Sequence, residues 1–113
     1  MAQTYDIQVD QGVDDERIFV CIDGSGAPMD FTGCQARMQV RRPTLTSKPI
    51  DELTTENGRL VFEASRIRAS FPSDITERYP PGRSLYDLEV ISAGGRVYRL
   101  LRGDFNVYPE VTR

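Results

Sequence analysis

The segment Ser84–Val107 restricts the possible folds of this chain more than any other stretch. Two strand-like runs, Leu85–Ser92 and Arg96–Val107, flank an Ala-Gly-Gly turn at residues 93–95. Glycine accepts the positive φ angles of tight turns, so we predict a long β-hairpin with both glycines at φ > 0. The rest of the chain is expected to pack against this hairpin.

Apolar side chains occupy every second position in the first arm of the hairpin. Tyr86, Leu88 and Val90 share one face, as in a strand that buries one side. The second arm is long for a single strand, and Gly103 is predicted to bend or bulge it.

Further strand-like runs recur about every ten residues, separated by turn-forming residues. They are Tyr5–Val9, Arg17–Asp23, Cys34–Arg42, Ile50–Thr54, Leu60–Ala64 and Ser65–Phe71. An Asn57-Gly58 pair stands between two of these runs. Asn-Gly is the strongest short hairpin signal, so Leu60–Ala64 is predicted to pair back onto Ile50–Thr54.

Alternation assigns side chains of two runs to opposite faces of their strands. In the run 17–23, Ile18, Val20 and Ile22 are predicted on the core face, with Phe19 and Cys21 opposite. The run 34–42 alternates most cleanly. Its predicted inward residues are Cys34, Ala36, Met38 and Val40, and its predicted outward residues are Gln35, Arg37, Gln39 and Arg41. This pattern is typical of a half-exposed antiparallel strand.

One short helical turn is predicted near residues 73–79. Ser73 or Asp74 can cap it, and Asp74 with Glu77 has capping-box spacing, while Pro80-Pro81-Gly82 ends it. About seven or eight short strands with one helical turn favour an all-β fold. The prediction is a single domain over residues 1–113, an immunoglobulin-like antiparallel β-sandwich or a small barrel.

Composition excludes several classes of function. The 113 residues contain no histidine, which removes Ser-His-Asp and Cys-His nucleophiles and histidine metal sites. The net charge is −3 with interspersed signs, so no nucleic-acid groove is expected. No apolar run approaches the roughly 20 residues of a membrane span, and the N-terminus lacks signal-peptide features. No cofactor and no membrane partner are predicted, and the chain is expected to stay in the compartment where it is made.

The two cysteines, Cys21 and Cys34, match no zinc-binding spacing. Without a secretion signal, reduced thiols are favoured over a disulfide. Cys34 is predicted to be buried beside Met38.

Two groups of acidic residues are candidate sites. Asp10 and the stretch 14–16 could hold calcium, but their spacing lacks the calcium-loop pattern, so a solvated loop is favoured. Asp87 and Glu89 share a strand face at about 7 Å, which a glycosidase pair could use. No tryptophan is present to line a sugar site, so exposed charges are the better interpretation and no enzyme activity is predicted.

Arginines on two strand faces and the C-terminal tail are the candidate contact residues. Arginine is favoured at protein interfaces, although a solvated strand face remains the competing interpretation. The extended tail, residues 108–113, is predicted to be disordered in a monomer and to order on a neighbouring subunit. The predicted interface residues are Arg37, Arg41, Arg42, Arg96, Arg99, Tyr108, Val111 and Arg113.

Several stretches, taken in order, carry a family resemblance. They are Tyr-Asp-Ile-Gln-Val-Asp-Gln-Gly (5–12), Gly-Ala-Pro-Met-Asp-Phe-Thr-Gly (26–33), Cys-Gln-Ala-Arg-Met-Gln-Val-Arg (34–41), Glu-Leu-Thr-Thr-Glu-Asn-Gly (52–58), Leu-Tyr-Asp-Leu-Glu-Val (85–90) and the closing stretch 99–113. In this order the chain resembles small structural proteins of tailed bacteriophages. It is also similar to the immunoglobulin-like N-terminal domain of upper baseplate proteins. It departs from the usual pattern at Val13–Glu16, where acidic residues replace an apolar strand entry.

The resemblance implies a non-enzymatic virion protein of the neck (collar), tail or baseplate. Such a protein would assemble in the host bacterial cytoplasm with other phage structural proteins, in several copies forming a symmetric ring. The alternative is a receptor- or carbohydrate-binding module of a tail fibre, for which Tyr79 and Tyr108 are the available aromatic residues.

Overall fold

The computed structural model describes residues 2–44 and 48–112, which form two β-sheets packed face to face. The strands within these residues are β1 (Gln3–Thr4), β2 (Ile7–Asp10), β3 (Asp15–Val20), β4 (Gln35–Arg41), β5 (Asp51–Thr54), β6 (Leu60–Glu63), β7 (Arg66–Phe71), β8 (Gly82–Ile91) and β9 (Val97–Tyr108). A four-residue helix, α1 (Ser73–Thr76), lies between β7 and β8. No helix in this part of the chain is long and apolar enough to span a membrane.

The first sheet has six strands in the order β1-β9-β8-β4-β5, and β2 also pairs with β9. β1 and β2 run parallel to β9, whereas β4, β5, β8 and β9 pair antiparallel. The second sheet is antiparallel and has three strands in the order β3-β7-β6.

This strand order is that of an immunoglobulin-like sandwich, which confirms the predicted fold class over the barrel. β3, β7 and β6 take the places of strands B, E and D, while β4, β8 and β9 take those of C, F and G. In constant-type domains strand A joins the B-E-D sheet. Here β1 and β2 pair with β9 instead, so the second sheet ends at β3.

The core lies between the inner faces of the two sheets. Its largest fully buried side chains include Phe71, Phe105 and Met38. The Phe105 ring lies 5.7 Å from the Phe71 ring and 5.7 Å from the Tyr79 ring, so aromatic contacts join the sheets at this level. Burial of these side chains supplies the main favourable free energy of folding.

The two clearest sequence predictions are confirmed. β8 and β9 form the long hairpin, and Tyr86, Leu88 and Val90 are each at most 4% exposed. On β4, Ala36 and Met38 are buried, as predicted, along with Val40. A half-buried strand has a side-chain period of two, so alternation along the chain is sufficient to predict its faces.

The irregular points of the hairpin differ from prediction. Of the two turn glycines, only Gly95 has a positive φ. The loop has three residues, and its first turn, closed by the Gly95 N–H bond to Ser92 O, does not need a residue with positive φ. The register shift lies at Leu88–Glu89, not at Gly103. Gly103 instead lets the β1–β2 connection pass closely over β9: a Cβ there would overlap the carbonyl oxygen of Tyr5.

The predicted faces of β3 are wrong. Ile18, Val20 and Ile22 are 48, 67 and 61% exposed, whereas Phe19 and Cys21 are partly buried against the core. Both faces of this strand carry apolar residues, so alternation alone could not decide which one points inward. The bulkier Phe19 packs between the sheets, beside Tyr5.

The predicted hairpin between the 50–54 and 60–64 runs is also wrong. β5 belongs to the first sheet and β6 to the second, so the Asn57-Gly58 turn carries the chain between sheets. The Asn57 side chain accepts hydrogen bonds from the backbone N–H groups of Thr54 and Arg59 and donates to Glu52 O. These bonds fix a turn without requiring its flanking strands to pair.

The helix α1 is capped from a distant loop. Its own N-cap, Pro72, has no side-chain hydrogen bond to the helix, so the predicted caps at Ser73 and Asp74 are wrong. The Asp14 carboxylate accepts a 2.6 Å hydrogen bond from the Ser73 N–H. This bond satisfies one of the helix's unpaired donors and ties the β2–β3 loop to the β7–β8 connection.

Candidate interaction surfaces

The outer face of the six-stranded sheet carries a cross-strand array of charges, which we call the charged face. Arg37 on β4 contacts Glu89 on β8 at 2.8 Å. Arg99 on β9 contacts Glu89 at 2.9 Å and Asp87 at 3.1 Å. Arg41 donates to Gln39 on its own strand at 3.0 Å. The structure therefore brings three of the predicted interface arginines onto one face and pairs each with a neighbouring side chain.

The carboxylate pair considered as a glycosidase site lies in this array. The hydrogen bond from Arg37 holds the pKa of Glu89 below its ordinary value, and Arg99 adds to the effect. A glycosidase general acid needs a raised pKa, so this shift runs opposite to what that chemistry requires. A shallow depression of about 510 Å³ lies beside Asp87.

Two more predicted arginines lie away from the charged face. Arg42 reaches the backbone carbonyl oxygens of Arg83 and Pro81 at 3.4 and 3.5 Å. Arg96, next to the hairpin tip, places its guanidinium 5.3 Å from the centre of the Tyr98 ring, a cation–π contact.

The C-terminal tail is held to its own domain further than predicted. Tyr108 is half exposed in β9, and the Glu110 N–H donates to Gln11 Oε1 at 2.9 Å. The Glu110 carboxylate lies over Gly12, so the tail is anchored as far as this residue. Val111 is 93% exposed, and Arg113 lies outside the described residues.

The acidic loop residues have separate partners. Asp14 caps α1, Asp15 pairs with Arg17 at 3.2 Å, and Glu16 pairs with Arg68 at 3.2 Å. Within residues 2–44 and 48–112, no group of three or more candidate ligands is arranged to hold a metal ion.

Both cysteines are free thiols, as predicted. Cys34 is only partly buried, so the prediction that it is buried beside Met38 is wrong; it ends the loop before β4, where solvent reaches it. Burial raises the pKa of the Cys21 thiol above its ordinary value.

A partly buried network that sequence reasoning missed connects the two sheets. Arg59 forms a bidentate pair with Asp51, with both N–O distances at 2.7 Å, and the Tyr79 hydroxyl also donates to Asp51. Burial acts to raise the pKa of Asp51, but the bonds from Arg59 and Tyr79 outweigh it and leave the pKa below its ordinary value. Asp51 and Arg59 are eight residues apart and Tyr79 is 28 residues from Asp51. The three residues share no periodic pattern, so no sequence signal indicated the network.

The feature most suited to binding lies at the open side of the sandwich. Ile18, Val20 and Ile22 form an exposed row on and just after β3, which we call the apolar edge. Beside it is a groove of about 430 Å³ between β3 and the β1–β9 pair, which we call the edge groove. Its apolar lining includes Tyr5, Phe19, Cys21, Met29, Tyr98 and Leu101.

Comparison with known proteins finds solved structures of similar fold. No protein-family profile and no curated protein matches the chain. A candidate glycoside hydrolase from Bacteroides vulgatus is similar to it at 13% identity and a TM-score of 0.51, over 92% of this chain and 16% of that one. The structure of ICOS in complex with ICOS-L and an anti-ICOS-L VNAR domain is similar at 10% identity and a TM-score of 0.46, over 96% of this chain and 56% of that one. Extracellular domains 3–5 of Drosophila OTK are similar at 10% identity and a TM-score of 0.41, over 95% of this chain and 33% of that one.

The chain thus spans between about a sixth and just over half of the length of these matched chains. At 13% identity, the likeness to the hydrolase shows the fold alone.

Proposed function

We propose that this protein is a non-enzymatic assembly module of a tailed bacteriophage particle. The observation that carries this proposal is the apolar edge, where three branched apolar side chains are about half to two-thirds exposed. Among the residues that the structure describes, seventeen hydrophobic side chains are already buried in the core, so these three are not needed to complete it. Exposed apolar surface of this kind marks contacts with other proteins.

The sequence resemblance supports the phage assignment. The segments at 5–12, 26–41, 52–58, 85–90 and 99–113, taken in order, resemble those of small head, neck and tail proteins. Such a protein would occupy the virion after assembly in the host cytoplasm, in several copies within the neck, tail or baseplate. Repeated copies can bury exposed edges against their neighbours, as symmetric assemblies do.

The charged face supports a contact that is specific rather than strong. Its arginines and carboxylates neutralise one another across strands, and exposed pairs of this type add little stability. Interspersed charges can select the orientation of a neighbouring subunit.

The carbohydrate-binding alternative loses one of its two aromatic candidates. Tyr79 is 2% exposed and its hydroxyl is bound to Asp51, so it cannot serve as a sugar-stacking platform. Tyr108 stays exposed.

The test is incorporation into particles. The gene would be deleted from the phage that carries it and restored as wild type, as Val20→Lys, or as Val61→Lys, a control at another exposed valine in the same sheet. We expect wild type and the control to restore particles that contain the protein, and Val20→Lys to reduce its copy number at least tenfold. Normal infectious particles that lack the protein would overturn the proposal, and glycan binding by the isolated protein would favour the alternative.

A further inference from the structure

The second sheet ends in a strand whose outer edge is unpaired. The Cys21 N–H donates to Ser65 O at 2.9 Å, toward β7. In an antiparallel pair, consecutive residues direct their backbone groups to opposite sides, so those of Ile18 and Val20 point away from β7. Among residues 2–44 and 48–112, no hydrogen-bond partner meets these two N–H and two C=O groups.

The edge groove lies directly beside these free groups. Tyr5, from the β1–β2 connection, and Tyr98 and Leu101, from β9, form its far wall, and Phe19 forms its near wall. A strand added next to β3 would direct alternate side chains into this groove and the others alongside Ile18 and Val20. Both rows of side chains would therefore meet apolar surface.

We infer that the outer edge of β3 accepts an extended strand from a different polypeptide. That strand would make the second sheet four-stranded, in the position that strand A holds in constant-type immunoglobulin domains. The backbone hydrogen bonds would supply affinity, and the groove would select alternate apolar side chains.

Charge identifies the ends of the partner segment. Asp14, Asp15 and Glu16 lie at one end of the apolar edge and Asp23 at the other. Arg17 pairs with Asp15, and Arg68 is shared between Glu16 and a second carboxylate, so the first end keeps negative charge. At the other end the Asp23 carboxylate accepts hydrogen bonds from Ser25 and Ala27. The fitting partner is an apolar strand with lysine or arginine on its flanks.

A second copy of this chain fits the edge less well. Antiparallel pairing of two β3 edges would bring the acidic end of each strand close to Asp23 of the other copy, and one of the possible registers places Ile18 opposite Val20. The same register places Asp15 opposite Asp23, and like charges directly opposite destabilise a strand pair. The inference depends on the geometry and the charges of the β3 edge, so it stands even if the phage assignment fails.

The experiment uses the full chain and a synthetic peptide of alternating valine and threonine with two lysines at each end. Amide hydrogen exchange followed by NMR reports on individual residues. We expect the peptide to slow exchange of the Ile18 and Val20 amides at least tenfold, with no change on β5, the outer strand of the other sheet. Val20→Lys should weaken binding at least tenfold, whereas Val61→Lys should leave it unchanged.

Two control peptides test separately the role of the backbone hydrogen bonds and the role of the charged flanks. A peptide N-methylated at alternate residues loses its donors and should not bind. A peptide with glutamate flanks should bind at least tenfold more weakly. Absence of binding at millimolar peptide, protection at a different edge, or equal binding of the glutamate peptide would overturn the inference as stated. Concentration-dependent dimerisation that protects Ile18 and Val20 without peptide would overturn the assignment to a different polypeptide.

Discussion

The Asp51–Arg59–Tyr79 network gives the sharpest stability prediction. Asp51→Asn keeps the shape of the side chain and one acceptor oxygen but removes the charge that faces Arg59. The two side chains are only 11 and 15% exposed, so water cannot replace the lost interaction efficiently. Hydrogen bonds to charged groups contribute about 1.5–3 kcal/mol each, and the variant keeps part of the set, so we expect a loss of about 2–3 kcal/mol.

This loss converts into a measurable change in melting temperature. Unfolding entropy of about 2.1 cal/mol/K per residue gives roughly 0.24 kcal/mol/K for this chain. The expected decrease is therefore about 8–12 °C by differential scanning calorimetry. Asp104→Asn is the matched control, because its ion pair with Arg83 has side chains 33 and 59% exposed and should cost less than about 0.5 kcal/mol.

Two further measurements test the cause of the loss. A double-mutant cycle with Arg59→Leu should give a coupling energy of at least about 1 kcal/mol. Because the folded pKa of Asp51 lies below its ordinary 3.8, its stabilisation is present above that pH and is lost as the pH falls through the folded value. The difference in the free energy of unfolding between wild type and Asp51→Asn should therefore become smaller below about pH 4. A coupling energy near zero, or a stability difference that stays constant below pH 4, would contradict the attribution of this loss to the charge of Asp51.

Three other predictions follow from single contacts. Gly103→Ala should destabilise the protein by about 1–3 kcal/mol in urea titrations, because its Cβ would overlap the β1–β2 connection; Gly24→Ala, with open space around it, should be near neutral, and equal effects would contradict this account. Cys21 should react with iodoacetamide at pH 8 at least tenfold more slowly in the folded protein than in urea, because burial raises its thiol pKa; equal rates would contradict its burial. Deletion of residues 109–113 should cost about 1 kcal/mol through loss of the Glu110 N–H bond to Gln11, and a loss of folding would place the tail in the core.

Features that depend on local periodicity could be predicted from the sequence. The hairpin of β8 and β9 and the inward row of β4 were predictable, because a strand with one buried face repeats every two residues. Turn chemistry likewise located the breaks between strands, and the number and spacing of strands indicated a sandwich.

Tertiary structure decided everything that depends on a distant partner. Asn57-Gly58 forms the predicted turn. The assignment of β5 to the first sheet and β6 to the second depends on the surfaces that the other strands leave exposed. Gly103 was recognised as unusual, and only the passage of the β1–β2 connection over it gives the reason.

The strand β3 shows most clearly the difference between what the sequence predicts and what tertiary structure adds. Both faces of β3 are apolar, so the sequence could not decide whether Phe19 or the row beginning at Ile18 packs inward. The decision depends on the first strand, which pairs with β9 instead of β3 and leaves one edge of the second sheet uncovered. Strand pairing between distant segments is chosen by the total surface that the whole chain buries, which no local pattern encodes.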